Sequence, residues 1–212
     1  MKHFVLYVEG QTEFLALPRF FKSWLDAPLT QPVGISPVYF KGAPELWKEA
    51  PGRATKLLNS PRSTAEIIGI IALLDLKSDL PFPNNCTTAA KKLAWGKAEI
   101  ERAVNDARFK HFFIQHELEA WLLADLKSLP RELRKKTAEL MRGRKPEAIN
   151  MNAPPSYLLN DAFQSAMREH YRKTRHGVTA FSNADVNIVY DTCPSLKAIL
   201  DEMLSMAHAA GL

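Results

Sequence analysis

Phe4-Val5-Leu6-Tyr7-Val8-Glu9-Gly10-Gln11-Thr12-Glu13 decides how the chain is read. Five apolar residues in a row, ending at an acid and a glycine, describe a strand buried on both faces that exits through a tight turn. Thr12-Glu13 can then open a helix. Phe14, Leu17, Phe21, Trp24 and Leu25 recur at three- and four-residue spacing, which lays an apolar stripe along it. Pro18 falls inside that stripe, so the helix either starts later or bends there.

Working outward, the pattern repeats. Ile35 to Phe40 is a weaker strand, and Pro37 assigns it to a sheet edge. A polar helix is expected from Pro44 to Asn59. Ile67 to Leu74 is the strongest strand of the sequence and runs into Asp75. Pro81 to Asn85 is a loop, Ala89 to Ala107 a long helix, and His111 to Gln115 a fourth strand. That strand leads into His116-Glu117-Leu118-Glu119 and a short helix, Ala120 to Leu126. Strand and helix in alternation predict an α/β fold, a mostly parallel sheet of about four strands with helices on both faces. The division expected is 1–130 for this layer and 131–212 for a mostly helical, basic C-terminal extension. The extension contains Arg131 to Lys145 (helical), a loop from Pro146 to Pro155, a helix from Tyr157 to Arg175, a short strand from Val186 to Tyr190, and a last helix from Asp191 to Leu204.

Composition narrows the class. The chain has 212 residues, 46% hydrophobic and 24% charged, which suits a globular protein able to bury a core. No apolar run is long enough to cross a bilayer. The basic-then-apolar N-terminus resembles the start of a signal peptide, but Glu9 interrupts it, so a cytoplasmic location is expected. Cys86 and Cys193 are too few for a disulfide framework or a zinc knuckle. The net charge of +5 is compatible with a polyanionic partner.

In open parallel sheets the ligand lies beyond the carboxyl ends of the strands. Glu9, Asp75 and the Glu117/Glu119 pair each follow a predicted strand. Carboxylates gathered at one edge repel unless a cation neutralises them. All-oxygen donors select magnesium or manganese, and the chemistry that follows is phosphoryl transfer. Taken singly, each acid also reads as a solvated loop residue or a helix cap: Thr12-Glu13 as a cap, Asp125 as an exposed helix end. Other motifs drop out. His116-Glu117 lacks the second histidine of a zinc-protease helix, since position 120 is Ala, and no phosphate-binding Gly-Lys-Ser/Thr loop occurs. The tryptophans Trp24, Trp47, Trp95 and Trp121 fall on predicted helices and read as core or interface residues. Arg131 to Lys145 and Arg168 to His176 can track a nucleic-acid backbone through Arg142, Arg144, Lys145, Arg172, Lys173 and Arg175, with Tyr157 and Tyr171 as stacking faces; they also read as solvated helix surface.

Val8-Glu9-Gly10-Gln11-Thr12-Glu13 resembles the opening VEGxTE motif of Toprim domains of the OLD-nuclease type. Leu73-Leu74-Asp75 continues the likeness. Gln115 to Asp125 is similar to the HEFEAWLLAD segment of a bacterial Toprim-like family, as are Pro146 to Asn150, Pro155-Ser156, Tyr171-Arg172-Lys173 and Cys193-Pro194. The resemblance implies a Toprim-like fold and a Mg2+- or Mn2+-dependent nuclease site. It also implies an AAA/ABC-type ATPase encoded nearby as partner, a nucleic-acid substrate and a role in anti-phage defence; association into a homodimer stays open. By position, Glu9 would bind metal and assist proton transfer, Glu13 would join a second metal, and Asp75 would be the first acid of the second motif. Where Toprim domains carry Asp-x-Asp, this chain reads Asp75-Leu76-Lys77. Asp79 or Glu117/Glu119 would then supply the missing ligand, or the site is weakened; Lys77 can bind the scissile phosphate or be an ordinary loop lysine.

Overall fold

The computed structural model describes residues 1–60, 66–76, 80–149 and 153–212. Lys77 and Asp79 therefore lie outside the described residues. The sheet is built from β1 (His3–Val8), β2 (Gly34–Tyr39), β3 (Ile67–Asp75) and β4 (Phe109–Ile114). It is four-stranded in the order β2-β1-β3-β4, and every pairing is parallel. The two long apolar runs take the centre, where both strand faces need covering. Strand β2 lies at an edge, where Pro37 removes no ladder bond that the sheet depends on.

Alternate side chains of one strand supply two cores. Phe4, Leu6 and Val8 of β1, with Ile71 and Leu73 of β3, face α1 (Gln11–Leu25), α4 (Glu119–Ala124) and α9 (Pro194–Ala209). Val5 and Tyr7, with Ile70, Ala72 and Leu74, face α2 (Ala43–Leu58) and α3 (Ala89–Val104). Within α1, Leu17, Phe20, Phe21 and Leu25 are buried while Phe14 and Leu15 stay exposed. The helix starts at Gln11 and continues through Pro18, so the later-start reading is not needed.

The C-terminal part comprises α5 (Arg131–Met141), α6 (Pro155–Met167), a π-helical turn at Lys173–Gly177, α7 (Val178–Asn183), α8 (Val186–Thr192) and α9. Its residues Leu196, Ile199, Leu200 and Met203 join the same apolar cluster as Phe4 and Leu6. Two expectations are corrected here. The segment Val186–Tyr190 is helical, because the Asp185 side chain accepts the Asn187 N–H at 2.9 Å and Val186 and Val189 are buried at helical spacing. The helix expected from Tyr157 to Arg175 stops at Met167, where Arg168 takes a left-handed backbone (φ 56°) and closes it. Both cysteines are free and buried. Among the described residues no helix is long and apolar enough to cross a membrane.

Candidate metal and acid site

Parallel pairing brings the carboxyl ends of β1, β3 and β4 to one edge. Val8 lies opposite Leu73, and Asp75 opposite Ile114, so Glu9 follows β1 beside the end of β3. The Glu9 carboxylate accepts the main-chain N–H of Asp75 at 2.8 Å, tying the two strand ends together. Asp75 is 4% exposed.

Glu13 enters from the first turn of α1 and is buried, with Gly10 as the residue before that helix. A Cβ at Gly10 would collide with the Glu13 carboxyl group. Gly10 has an ordinary extended backbone (φ −125°), so glycine is needed there for space alone. Burial drives the Glu13 carboxyl up to about 7, and Glu119 and Glu9 push the same way, against its own N–H and Lys173. Thr12-Glu13 is thus more than a cap: both side chains are buried, and the Glu13 carboxyl turns back to its own N–H in the first turn of the helix.

Glu119 begins α4 and is 2% exposed. Burial, reinforced by Glu117, holds its carboxyl above the usual range despite Lys173. Tyr171 donates its hydroxyl to Glu119 at 3.4 Å. Lys173 donates to the other oxygen at 3.2 Å and stands 3.9 Å from Glu117. Burial works against the Lys173 ammonium, yet Glu119, Glu117 and Asp75 together hold its pKa above the ordinary value. Its side chain is 46% exposed overall, while the ammonium reaches the acids. Glu117 also accepts the Ser156 N–H at 3.0 Å, from the first turn of α6, where the helix dipole favours a carboxylate.

The structure therefore brings Glu13, Asp75, Glu117 and Glu119 to Lys173, with Glu9 beside Glu13 and Asp75. The basic candidates do not act as one group. Lys173 alone of them is paired with these acids among the described residues. Arg144 is spent on the Met141 and Leu140 carbonyls at the end of α5, and Arg175 pairs with Glu169. Arg142, Lys145 and Arg172 are exposed. Tyr171 packs on Phe163, with ring centroids 5.5 Å apart, and Tyr157 is 67% exposed. The charge run around Lys173 reads as surface because sequence does not record which way a turn aims each side chain; the signal for its inward role is Tyr171-Arg172-Lys173 itself. Asp125 is not an exposed helix end either: it is 4% exposed and accepts the Lys127 and Asp185 N–H groups.

Among the described residues no group of three or more His, Cys, Asp or Glu side chains stands ready to hold a metal ion. The chemistry of the set nevertheless suits a hard divalent cation. All donors are oxygen, and Glu13 and Glu119 are both held toward their neutral forms by burial and like charge.

No curated protein matches the chain. It is similar to the C-terminal region of the Burkholderia pseudomallei OLD protein, with TM-score 0.49 and 18% identity, over 98% of this chain and 99% of that one. It is also similar to the C-terminal region of the Xanthomonas campestris pv. campestris OLD protein, with TM-score 0.47 and 14% identity, over 99% and 98%. Residues 8–204 match the family described as a domain of unknown function, DUF4276, and the chain belongs to that family.

Proposed function

We propose that the chain is a metal-dependent phosphodiesterase acting on DNA or RNA, with a Toprim-like site. The observation that carries this reading is the meeting of Glu9, Glu13, Asp75, Glu117 and Glu119 at the carboxyl edge of a parallel sheet. Mg2+ or Mn2+, when bound, would activate a water and stabilise the leaving oxygen of a phosphodiester. Glu9 and Asp75 would hold it, with Glu13, Glu117 and Glu119 completing the oxygen donors. The Asp75 N–H orients Glu9, Tyr171 and Lys173 orient Glu119, and Ser156 orients Glu117. The Glu13 carboxyl, near 7 in the metal-free chain, can take up and release a proton at neutral pH. The resemblance of Val8–Glu13 to the Toprim motif extends the proposal to an AAA/ABC-type ATPase partner and to anti-phage defence.

Cleavage of plasmid DNA or tRNA with Mg2+ or Mn2+, its suppression by EDTA and its abolition by Glu9→Gln are the expected results. A second reading has its own observation. Lys173 already supplies positive charge among these acids, which is how a non-catalytic scaffold or regulatory subunit could keep the cluster without a metal. Absence of divalent-ion binding by calorimetry, together with co-purification with an ATPase, would favour that reading over the nuclease.

A further inference from the structure

The π-helical turn Lys173–Gly177 has two faces. One delivers Lys173 to the acids; the other delivers Arg175 and His176 to a separate cavity of about 460 Å3. That volume lies in the range of small-molecule sites, roughly 300–1,000 Å3. Lys127, Arg134, Arg175 and His176 line it, and no Asp or Glu side chain is among its lining residues.

Arg134 is held in place before any ligand arrives. Its Nε donates to the Leu129 carbonyl at 3.0 Å and its Nη2 to the Lys127 carbonyl at 2.7 Å. No partner is assigned to its Nη1 among the described residues. A guanidinium fixed in this way loses little freedom on meeting an oxyanion. Ser128 also lines the cavity; it is 3% exposed, and its Oγ has no hydrogen-bond partner among the described residues. A buried hydroxyl in that state calls for a partner from the cavity side. Arg175 and His176 share Glu169 at 3.4 Å, which leaves Arg134 and Lys127 to make the first contacts with an anion. The His176 ring stacks on the buried Phe163 at 4.5 Å and 13°, which fixes the imidazole at the wall of the cavity.

We propose that this cavity binds a phosphate ester of about nucleotide size, its phosphate on Arg134, Lys127 and Ser128 and its organic part toward His176. The site does not depend on the metal-site reading. The phosphate can belong to a free nucleotide or to a nucleic-acid strand, and the test separates the two.

The full chain is titrated calorimetrically, in EDTA and at about 0.15 M salt to screen surface attraction, with inorganic phosphate, AMP and a single-stranded oligonucleotide bearing a 5′-hydroxyl. Binding of AMP more tightly than phosphate, weakened about tenfold or more by Arg134→Gln and by Lys127→Gln, is expected for a free nucleotide. Binding of the oligonucleotide alone, weakened by the same variants, assigns the phosphate to a strand. Arg134 also braces two carbonyls, so Lys127→Gln, at an exposed position, decides the matter if Arg134→Gln does not fold. Failure of every probe to bind, or an affinity that Lys127→Gln leaves unchanged, overturns the proposal.

Discussion

Glu13 offers the most direct test of how the acids are held. Its carboxyl titrates near 7 in the folded chain, against an ordinary value of 4.5. The folded state therefore binds this proton more tightly than the unfolded state does. The associated stability is fully present below about 4.5 and is lost as pH rises through about 7. At about 1.4 kcal/mol per tenfold in proton affinity, the loss is roughly 3 kcal/mol. Glu13→Gln keeps the shape and removes the charge. In EDTA, urea denaturation of the variant and the parent is compared from pH 4.5 to 8. The variant should gain on the parent between about pH 4.5 and 7 and level off above that, by on the order of 3 kcal/mol. Mg2+ should narrow the gap at pH 8, because a cation favours the ionised parent. A difference between the two proteins that stays constant with pH would refute the reasoning, since it would mean that Glu13 ionises in the fold as freely as in the unfolded chain.

Other substitutions probe the surroundings. Lys173→Met leaves Glu119 and Glu117 without their ammonium; because Lys173 is 46% exposed, the cost at pH 8 should be about 1–2 kcal/mol rather than that of a fully buried pair. The same variant should bind Mn2+ more tightly by calorimetry, as a competing positive charge is gone. Gly10→Ala should displace the Glu13 carboxyl, weakening divalent-ion binding far more than it lowers the melting temperature, because the atoms that must move are the end of one side chain. Glu147→Ala should cost about 2 kcal/mol in urea denaturation without touching the acid cluster. Glu147 accepts the Ser195 N–H and hydroxyl at the start of α9, which would lose their partner; the indole N–H of the buried Trp121, shared between Glu147 at 3.3 Å and the Ser195 hydroxyl at 3.1 Å, would keep the latter.

Sequence alone determined the layer order, the strand at the edge and the rim where the acids collect. These follow from local facts: an apolar run with no polar alternation must be covered on both sides, a proline disfavours a central strand, and parallel strands end at a common edge. Glu9, Asp75 and Glu119 could be placed near one another by that reasoning because each follows a strand by only a few residues. What tertiary structure decided depends on contacts between distant segments. Lys173 and Arg175 have the same charge and lie two residues apart, yet a single turn sends one to Glu119 and the other to Glu169. Val186–Tyr190 looks like a strand by its β-branched residues, but Asp185 caps it and the core accepts Val186 and Val189 on one helical face. Asp125 reads as an exposed end until the Asp185 N–H, sixty positions on, closes over it. Local pattern records which faces are apolar; burial, and with it the near-neutral Glu13 carboxyl, arises only when the remote segments pack together.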